Sequence, residues 1–248
     1  MSVGLPDEPA LEQAFDYYDA VTKEDIIKVD GVKRTSARVQ RLMRAYARHQ
    51  GTQASIATLR ADLKNNDTVT LDDGTISSYL EALRKIFVIE DMPAWNPNLR
   101  SKTAIRTADT RYFVDASIAT AALGLGPADL INDLNTMGLL FETMCVRDLR
   151  VFADALNGNV YHYRDKSGLE CDAVIHLRNG QYGLIEIKLG GESLINDGVK
   201  TLTSLSKQLD TSRMKVPAFK MILTATGDYA YRRPDDGIYV VPIGCLKH

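Results

Sequence analysis

The sequence lacks the features that mark secreted and zinc-binding proteins. It has only three cysteines, which lie far apart and form no Cys-x-x-Cys pair: Cys145, Cys171 and Cys245. This usage is typical of reduced thiols in the cytosol, and it excludes both a disulfide framework and a cysteine-based zinc site. The four histidines have no ligand spacing, so a histidine-based metal site is not expected either.

Long apolar runs and a secretory signal are also missing. The longest apolar runs, such as residues 239–243, are far shorter than the ~18 residues that a membrane span needs. The first residues do not combine a basic start with an apolar stretch, as a secretory signal does. We therefore expect a cytoplasmic protein with no membrane partner.

Neither sign of charge is in large excess. The net charge is −2 at pH 7, so any contact with nucleic acid must come from a local basic patch. Hydrophobic residues make up 45% and charged residues 25%, which is ordinary globular usage and excludes a collagen-like or wholly disordered chain. A length of 248 residues suggests one large domain or two small ones.

The two halves of the chain differ in pattern. Residues 10–92 read mostly as helices, and residues 110–248 alternate helices with β-rich runs. We expect a helical lead-in over residues 1–30, a first domain over 31–97 and a second domain over 105–248. Residues 101–110 read as a linker or an extended entry into the second domain.

Three short helices and a β-like stretch are predicted in the first domain. Apolar periodicity predicts helices over Thr35–Gln50 and Ser55–Leu63. A third helix is expected after the turn at residues 72–74, with Thr75 as its N-cap, and Phe87–Ile89 reads as a β-stretch. Three helices followed by a β-stretch are typical of a winged helix-turn-helix domain.

The first of these helices has a basic face. Residues 32–50 contain no acidic residue, and five arginines fall within one arc of about 120°. They are Arg34, Arg38, Arg41, Arg44 and Arg48. Phosphate contact by Arg38, Arg41 and Arg48 is one interpretation, with nucleic acid, and DNA first, as the partner. A solvated face, or a face that docks on another domain, would show the same pattern.

The second domain is predicted to be an α/β structure. Helices are expected at residues 117–123, from Pro127, at 137–156 and at 193–209. Strands are expected at residues 111–114, 159–163, 169–177, 182–189, 219–224 and 237–242.

Acidic and basic side chains interrupt two adjacent apolar strands of this domain. Asp172 precedes the apolar run 173–175, and Glu186 and Lys188 alternate with isoleucines. Strand alternation puts Glu186 and Lys188 on one face of the sheet and the isoleucines on the other. Burying such charges is costly unless they are paired, bind a metal ion or face a cleft.

The turn between the two strands decides whether Asp172 joins that face. A two-residue turn at Asn179-Gly180 would place Asp172 opposite Ile187, on the wrong face. A three-residue loop, with Gly180 in the left-handed region, would place Asp172 opposite Glu186 instead. The chemistry requires the second register, because a slip of one residue turns every side chain to the other face.

In that register Asp172 and Glu186 could hold one divalent cation. Mg²⁺ prefers one or two carboxylates together with water and phosphate oxygens. Lys188 would then orient an attacking water or neutralise charge on a scissile phosphate. A structural salt bridge on a half-exposed sheet face is the alternative.

These residues carry a resemblance to known families. The hairpin with Asp172 and Glu186-Ile-Lys188 resembles the PD-(D/E)XK nuclease superfamily. More closely, residues 112–189 are similar to the C-terminal domain of unknown function of prokaryotic AAA-type ATPases, and residues 35–95 to the winged helix that precedes it there. The segments with this likeness are Tyr112-Phe-Val-Asp115, Gly138-Leu-Leu-Phe-Glu142, Tyr161-His-Tyr-Arg164-Asp165, Gly168-Leu-Glu170-Cys-Asp172 and Ile185-Glu-Ile-Lys188.

The resemblance implies a restriction-endonuclease-like mixed sheet flanked by helices, and a role for four residues. Asp172 and Glu186 would bind Mg²⁺ or Mn²⁺, and Lys188 would complete the catalytic set. Glu142 matches the acid on the long helix and would be a further metal ligand. Without the resemblance, Glu142 reads as a helix-flank charge paired with a neighbour.

Two further polar residues lie close by in the sequence. Glu170 lies on the same strand face as Asp172, and could support the metal ligands or pair with Lys188. Arg164 could contact a phosphate. A salt bridge from Arg164 to Asp165 or Glu170 is the alternative.

One departure from the family concerns ATP. The AAA-type ATPases have a P-loop, and this chain contains no G-x-x-x-x-G-K-[ST] segment. We therefore expect no ATPase activity, and expect the chain to correspond to the C-terminal part of such a protein, with an ATPase domain as a partner. Two functions remain open: a nucleic-acid-binding module with a Mg²⁺-dependent nuclease-like site, and a catalytically silent regulatory or interaction module that serves an ATPase.

A last motif combines aromatic rings with cations. The segment Tyr229-Ala-Tyr231-Arg232-Arg233 could stack on nucleic acid and neutralise its charge. A surface loop is the alternative, and the preferred interpretation.

Overall fold

The computed structural model describes residues 7–246, apart from 33, 67, 69 and 98–107. The chain divides into two compact units. The first unit contains the described residues up to Asp91 together with Thr110–Thr143, and the second contains Met92–Asp109 and the chain from Met144 onward. Most of the linker predicted at residues 101–110 lies outside the described residues.

The first unit is built from helices. They are α1 (Asp7–Ala20), a π-helical turn (Val21–Asp25), α2 (Ile26–Lys28), α3 (Ser36–Arg48), α4 (Ile56–Asn66), α5 (Asp73–Lys85), α6 (Ala116–Leu123) and α7 (Pro127–Asn132). The apolar stripe of α3 is fully buried, as its period predicts, through Val39, Leu42, Met43 and Tyr46. The three predicted helices of this region are therefore confirmed, whereas a winged helix remains a prediction.

The start of α5 differs from the prediction. Asp72, and not Thr75, is the N-cap, so the helix begins at Asp73. The Asp72 carboxylate accepts hydrogen bonds from the Thr75 backbone N–H (2.8 Å) and from its hydroxyl (2.7 Å). Both residue types make good N-caps, and here the aspartate satisfies a free N–H of the first turn while the threonine donates to it.

The β-stretches predicted at residues 87–89 and 111–114 are not strands. They pair with each other through a single antiparallel bridge between Ile89 and Phe113. The Glu90 amide donates to the Tyr112 carbonyl (2.9 Å), and the Val114 amide to the Val88 carbonyl (3.1 Å). Just before this pairing, Phe87 has a φ of +56° and follows Ile86, the C-cap of α5.

The second unit is a mixed sheet with helices. The division between the units falls within α8 (Leu134–Ala155), which is followed by β1 (Gly158–Arg164), β2 (Glu170–Leu177), β3 (Tyr182–Lys188), α9 (Glu192–Gln208), β4 (Phe219–Thr224), β5 (Tyr231–Arg232) and β6 (Tyr239–Pro242). The spatial strand order is β1-β2-β3-β4-β6-β5. β1, β2 and β3 form an antiparallel meander, and α9 crosses over so that β4 lies parallel to β3.

The core of this unit lies between α9 and the sheet. Leu202 and Leu205 of α9 are fully buried in one cluster with Leu184 and Ile222 of β3 and β4. The predicted α/β class is thus confirmed, and a specific PD-(D/E)XK fold remains a prediction. Within the described part of the chain, no helix has the length and apolarity that crossing a bilayer requires.

Candidate functional site

The hairpin between β2 and β3 has the three-residue loop that the chemistry requires. Ala173 pairs with Ile185 and His176 with Tyr182, and the Leu177 amide donates to the Gln181 carbonyl (2.8 Å). Gly180 has a φ of +79°, the left-handed conformation that closes such a loop. The predicted register is confirmed, and continuing it by one residue brings Asp172 level with Glu186.

Three predicted site residues converge at this end of the hairpin. The Lys188 ammonium lies 3.0 Å from Asp172 Oδ2 and 2.8 Å from Glu186 Oε2. The Ile187 amide also donates to Asp172 Oδ2, at 2.7 Å. The Glu186 side chain is 4% exposed, against 20% for Asp172 and 23% for Lys188, so the cluster is buried on the glutamate side and open on the other.

One oxygen of Glu186 lacks a partner. Glu186 Oε1 is buried and has no hydrogen-bond partner. Helix α9 approaches this residue closely, since a Cβ added at Gly198 would lie 3.4 Å from the Glu186 Cβ. An unpaired buried carboxylate oxygen is costly, so this position favours a proton or a cation.

The surroundings shift the two titrating groups of the cluster. Burial raises the pKa of Glu186 to about 8, and the Asp172 charge adds to the rise while Lys188 opposes it. Burial alone would lower the pKa of Lys188, but the two neighbouring carboxylates outweigh it and raise the pKa overall. At neutral pH the lysine is therefore a cation, and Glu186 holds a proton more strongly than an ordinary glutamate does.

The donor set fits a hard divalent cation. Asp172 and Glu186 supply carboxylate oxygens, and Glu186 Oε1 is available for a new bond. Two carboxylates with water and phosphate oxygens are a usual Mg²⁺ environment. No larger ligand set is present, because the described residues contain no group of three or more His, Cys, Asp or Glu side chains placed to hold a metal ion.

Family models match both parts of the chain. Residues 5–129, about half of the chain, match the model of a domain of unknown function, DUF8612. The chain belongs to the DUF8612 family. Residues 137–246 match the model of a second domain of unknown function, DUF4143, and this region contains Asp172, Glu186 and Lys188. A comparison with curated proteins finds no match for this DUF8612 protein.

Glu170 and Arg164 of the DUF8612 protein pair with each other. They lie opposite one another on β2 and β1, with 2.9 Å between the guanidinium and the carboxylate. Of the alternatives for Arg164, the structure contains the salt bridge to Glu170. The possible pairing of Glu170 with Lys188 was wrong, because Lys188 pairs with Asp172 and Glu186 instead.

Glu142 belongs to the first unit. Its carboxylate accepts a hydrogen bond from the Tyr112 hydroxyl, and a Cβ at Gly51 would lie 3.4 Å from its Oε1. This half-buried acid is thus held by a neighbour, as its alternative interpretation expects. Its role as a ligand beside Asp172 and Glu186 remains a prediction.

The five arginines of the basic face have different surroundings. Arg38 and Arg41 are exposed, and among the described residues neither guanidinium has an ion-pair or hydrogen-bond partner. Arg48 is half-buried, and its Nε lies 3.0 Å from Asp62 of α4, while Arg34 is buried against Asp30. Arg44 donates to the Ala122 carbonyl. Phosphate contact remains a prediction, and Arg38 and Arg41 are the residues free to make it.

Sequence reasoning missed the contribution of Gly198. This glycine lies inside α9 and is buried against Glu186 and Ile222. A glycine within a helical pattern is a weak sequence signal of close packing, and it was available here. The packing partner could not be read from the sequence, because Glu186 lies on a different element.

Proposed function

We propose that the second unit is a metal-dependent phosphodiesterase-like domain that acts on nucleic acid, with a PD-(D/E)XK-like core. The observation that carries the proposal is the convergence of Asp172, Glu186 and Lys188 beside the unpaired oxygen of Glu186. The order helix, three antiparallel strands, helix, parallel strand supports it, because the resemblance implies such a mixed sheet.

Each residue of the cluster has a distinct task in this proposal. Asp172 and Glu186 would hold Mg²⁺ or Mn²⁺, and a proton on Glu186 would pass to solvent when the ion binds. Such an ion lowers the pKa of a bound water and polarises a phosphoryl oxygen. Lys188 is held in place by Asp172, and its ammonium orients the attacking water or neutralises charge that develops on the phosphate.

The first unit is proposed to bind DNA as a winged helix. Arg38 and Arg41 are exposed cations without acidic partners among the described residues, and phosphate oxygens suit them. The motifs shared with AAA-type ATPases support a place in the C-terminal region of such a protein, with an ATPase domain as the partner.

A second candidate is a silent interaction module. Lys188 already pairs with both carboxylates, so the cluster has a stable arrangement without any metal ion. A structural salt bridge of this kind would suit a domain that binds protein and performs no chemistry.

Cleavage of plasmid and oligonucleotides in Mn²⁺ distinguishes the two candidates. We expect activity from the intact chain, and none from Asp172→Asn or Lys188→Ala. Glu170→Gln is the matched control, because Glu170 is an acid of the same strand as Asp172. Among the described residues its ion pair is with Arg164. Ca²⁺ should support binding better than cleavage, because its coordination is looser.

Two results would count against the nuclease proposal. Equal activity in all variants would reveal a contaminant. No activity in any, together with no metal binding by the intact chain, would favour the silent module.

A further inference from the structure

We propose that the second unit has a separate binding site for a nucleotide, in an open cleft at the β5–β6 edge of the sheet. The cleft measures about 360 Å³, and its lining includes Phe219, Lys220, Arg232, Asp236 and Tyr239. This size falls in the range of small-molecule sites, about 300–1,000 Å³. The inference goes beyond the proposed nuclease site and does not require a metal ion.

The cleft offers an aromatic face. Tyr239 is 40% exposed, although the three residues that follow it on β6 are buried. The Arg232 guanidinium lies over its ring, 5.6 Å from the ring centroid. A planar group could therefore stack beside an aromatic ring and a guanidinium, both of which bind nucleobases.

The cleft also offers positive charge. Among the residues that the structure describes, no carboxylate is within ion-pair distance of Lys220 or Arg232, and Arg232 Nε donates to the Gly237 carbonyl (3.2 Å). Asp236, the acid of the lining, is already engaged by Arg233 (2.9 Å) and by the Ile238 amide (2.9 Å). The charge available to a ligand is thus positive, which favours an anion.

A nucleoside phosphate combines the two features that the cleft would recognise. Its base stacks on Tyr239, and its phosphate pairs with Lys220 and Arg232. A free mononucleotide and one residue of a single strand share this chemistry. A duplex does not, because its ring faces are covered by neighbouring bases.

The cleft is distinct from the carboxylate cluster within the same unit. Tyr239 begins β6, whereas Lys188 ends β3, and β4 lies between the two strands. Ligand binding at the cleft can therefore be measured with the metal removed by EDTA. A failure here would leave the proposed nuclease activity untouched, and the reverse also holds.

Two neighbouring residues provide matched controls. Tyr231 is 42% exposed, close to the value for Tyr239, but it precedes Arg232 on β5 and so points to the opposite side of the strand. Its ring contacts Tyr229 and is not part of the cleft lining. Arg213 is an exposed cation that pairs with Asp210 outside the lining.

The experiment titrates the full chain, in EDTA, with a fluorescent oligothymidylate and with AMP as competitor. Tyr239→Ala should weaken oligonucleotide binding about tenfold, which corresponds to about 1.4 kcal/mol and lies within the range for one stacked base. When the logarithm of affinity is plotted against the logarithm of salt concentration, Lys220→Gln should make the slope shallower by about 0.7. This is the value for one phosphate contact with a single strand. Tyr231→Ala and Arg213→Ala should leave both quantities unchanged.

Each outcome decides for or against the site. Displacement of the oligonucleotide by AMP supports a mononucleotide ligand, and Tyr239-dependent binding that AMP does not displace supports a single strand. The proposal is overturned if neither probe binds at millimolar concentration. It is also overturned if Tyr239→Ala binds like the intact chain, or if the two tyrosine variants lose affinity equally. Thermal unfolding of each variant verifies that the changes are local.

Discussion

Each unit contains a cluster of charged side chains around a buried acid, and the two clusters differ in their balance of charge. In the first unit the 5% exposed Asp91 pairs with two cations, Arg111 (2.6 Å) and Arg84, and accepts a hydrogen bond from the Tyr46 hydroxyl. In the second unit two acids share Lys188, and one oxygen of Glu186 has no partner.

The comparison separates a structural cluster from a functional one. Both carboxylate oxygens of Asp91 are satisfied, and its two arginines leave an excess of positive charge, so a metal ion has no place there. The Asp172 cluster has an excess of acid and a free oxygen, which together favour a cation. Burial alone would not have distinguished the two.

The largest effect should come from removing the acid of the Asp91 cluster in the first unit. Asp91→Asn leaves the largely buried Arg111 without its acid, so we expect the first unit to lose about 3–5 kcal/mol of stability, as when one partner of a buried ion pair is removed. Asp172→Asn should cost much less, because Glu186 still pairs with Lys188. Urea unfolding of the two variants measures both changes, and equal losses would contradict the distinction.

The second effect is a pH dependence of stability that arises in the Asp172 cluster of the second unit. The pKa of Glu186 is about 8 in the folded chain, above its ordinary 4.5, so the folded state holds the proton more strongly than the unfolded state does. Stability of the second unit should therefore fall as pH rises between these values. A bound metal ion must displace this proton, so metal affinity should rise with pH over the same window, by up to about tenfold per pH unit.

Glu186→Gln verifies the origin of that slope. The variant cannot titrate at this position, so the fall in stability between pH 4.5 and about 8 should flatten. Calorimetry in two buffers of different ionisation enthalpy should show proton release on metal binding by the intact chain. A slope that persists in the variant would assign it to another group.

A third effect concerns the packing behind Glu186. Gly198→Ala should be tolerated, because its Cβ would lie 3.4 Å from the nearest atoms, an ordinary contact distance. Gly198→Val should cost about 1–3 kcal/mol through overpacking and should weaken metal binding by moving Glu186. Thermal unfolding and metal titration of the alanine and valine variants test this prediction. Unchanged metal affinity in the valine variant would contradict it.

The smallest effect is expected at Phe87, which lies between Arg84 and Asp91 in the sequence. Phe87 is 79% exposed and has a φ of +56°, a conformation that suits glycine at the end of a helix. Phe87→Gly should stabilise the first unit by about 0.5–1 kcal/mol, because it relieves backbone strain and loses little burial. Loss of stability in this variant would show that the ring makes a contact that its exposure does not suggest.

The sequence predicted the Asp172 cluster better than the Asp91 cluster, for a physical reason. Strand alternation and the loop ending in Gly180 are local features, and they were enough to bring Asp172 to Glu186 and Lys188. Asp91 is joined to Tyr46 and Arg111, which lie far from it in sequence, so no short-range pattern reveals that cluster.

The same limit explains the remaining differences. The pairing of residues 88–90 with 112–114 crosses the linker, so each side read as a strand of its own. The engagement of Arg48 by Asp62 depends on how α3 packs on α4, which a helical projection of α3 alone cannot show. The N-cap of α5 was missed by three residues because Asp72 and Thr75 both suit that position.

The most direct test of the account is a calorimetric titration of the intact chain with Mn²⁺ near neutral pH. The account predicts one ion per chain, with binding lost in Asp172→Asn and Glu186→Gln and retained in Lys188→Ala and Glu170→Gln. Binding that is absent from the intact chain, or equally strong in Asp172→Asn, would contradict it.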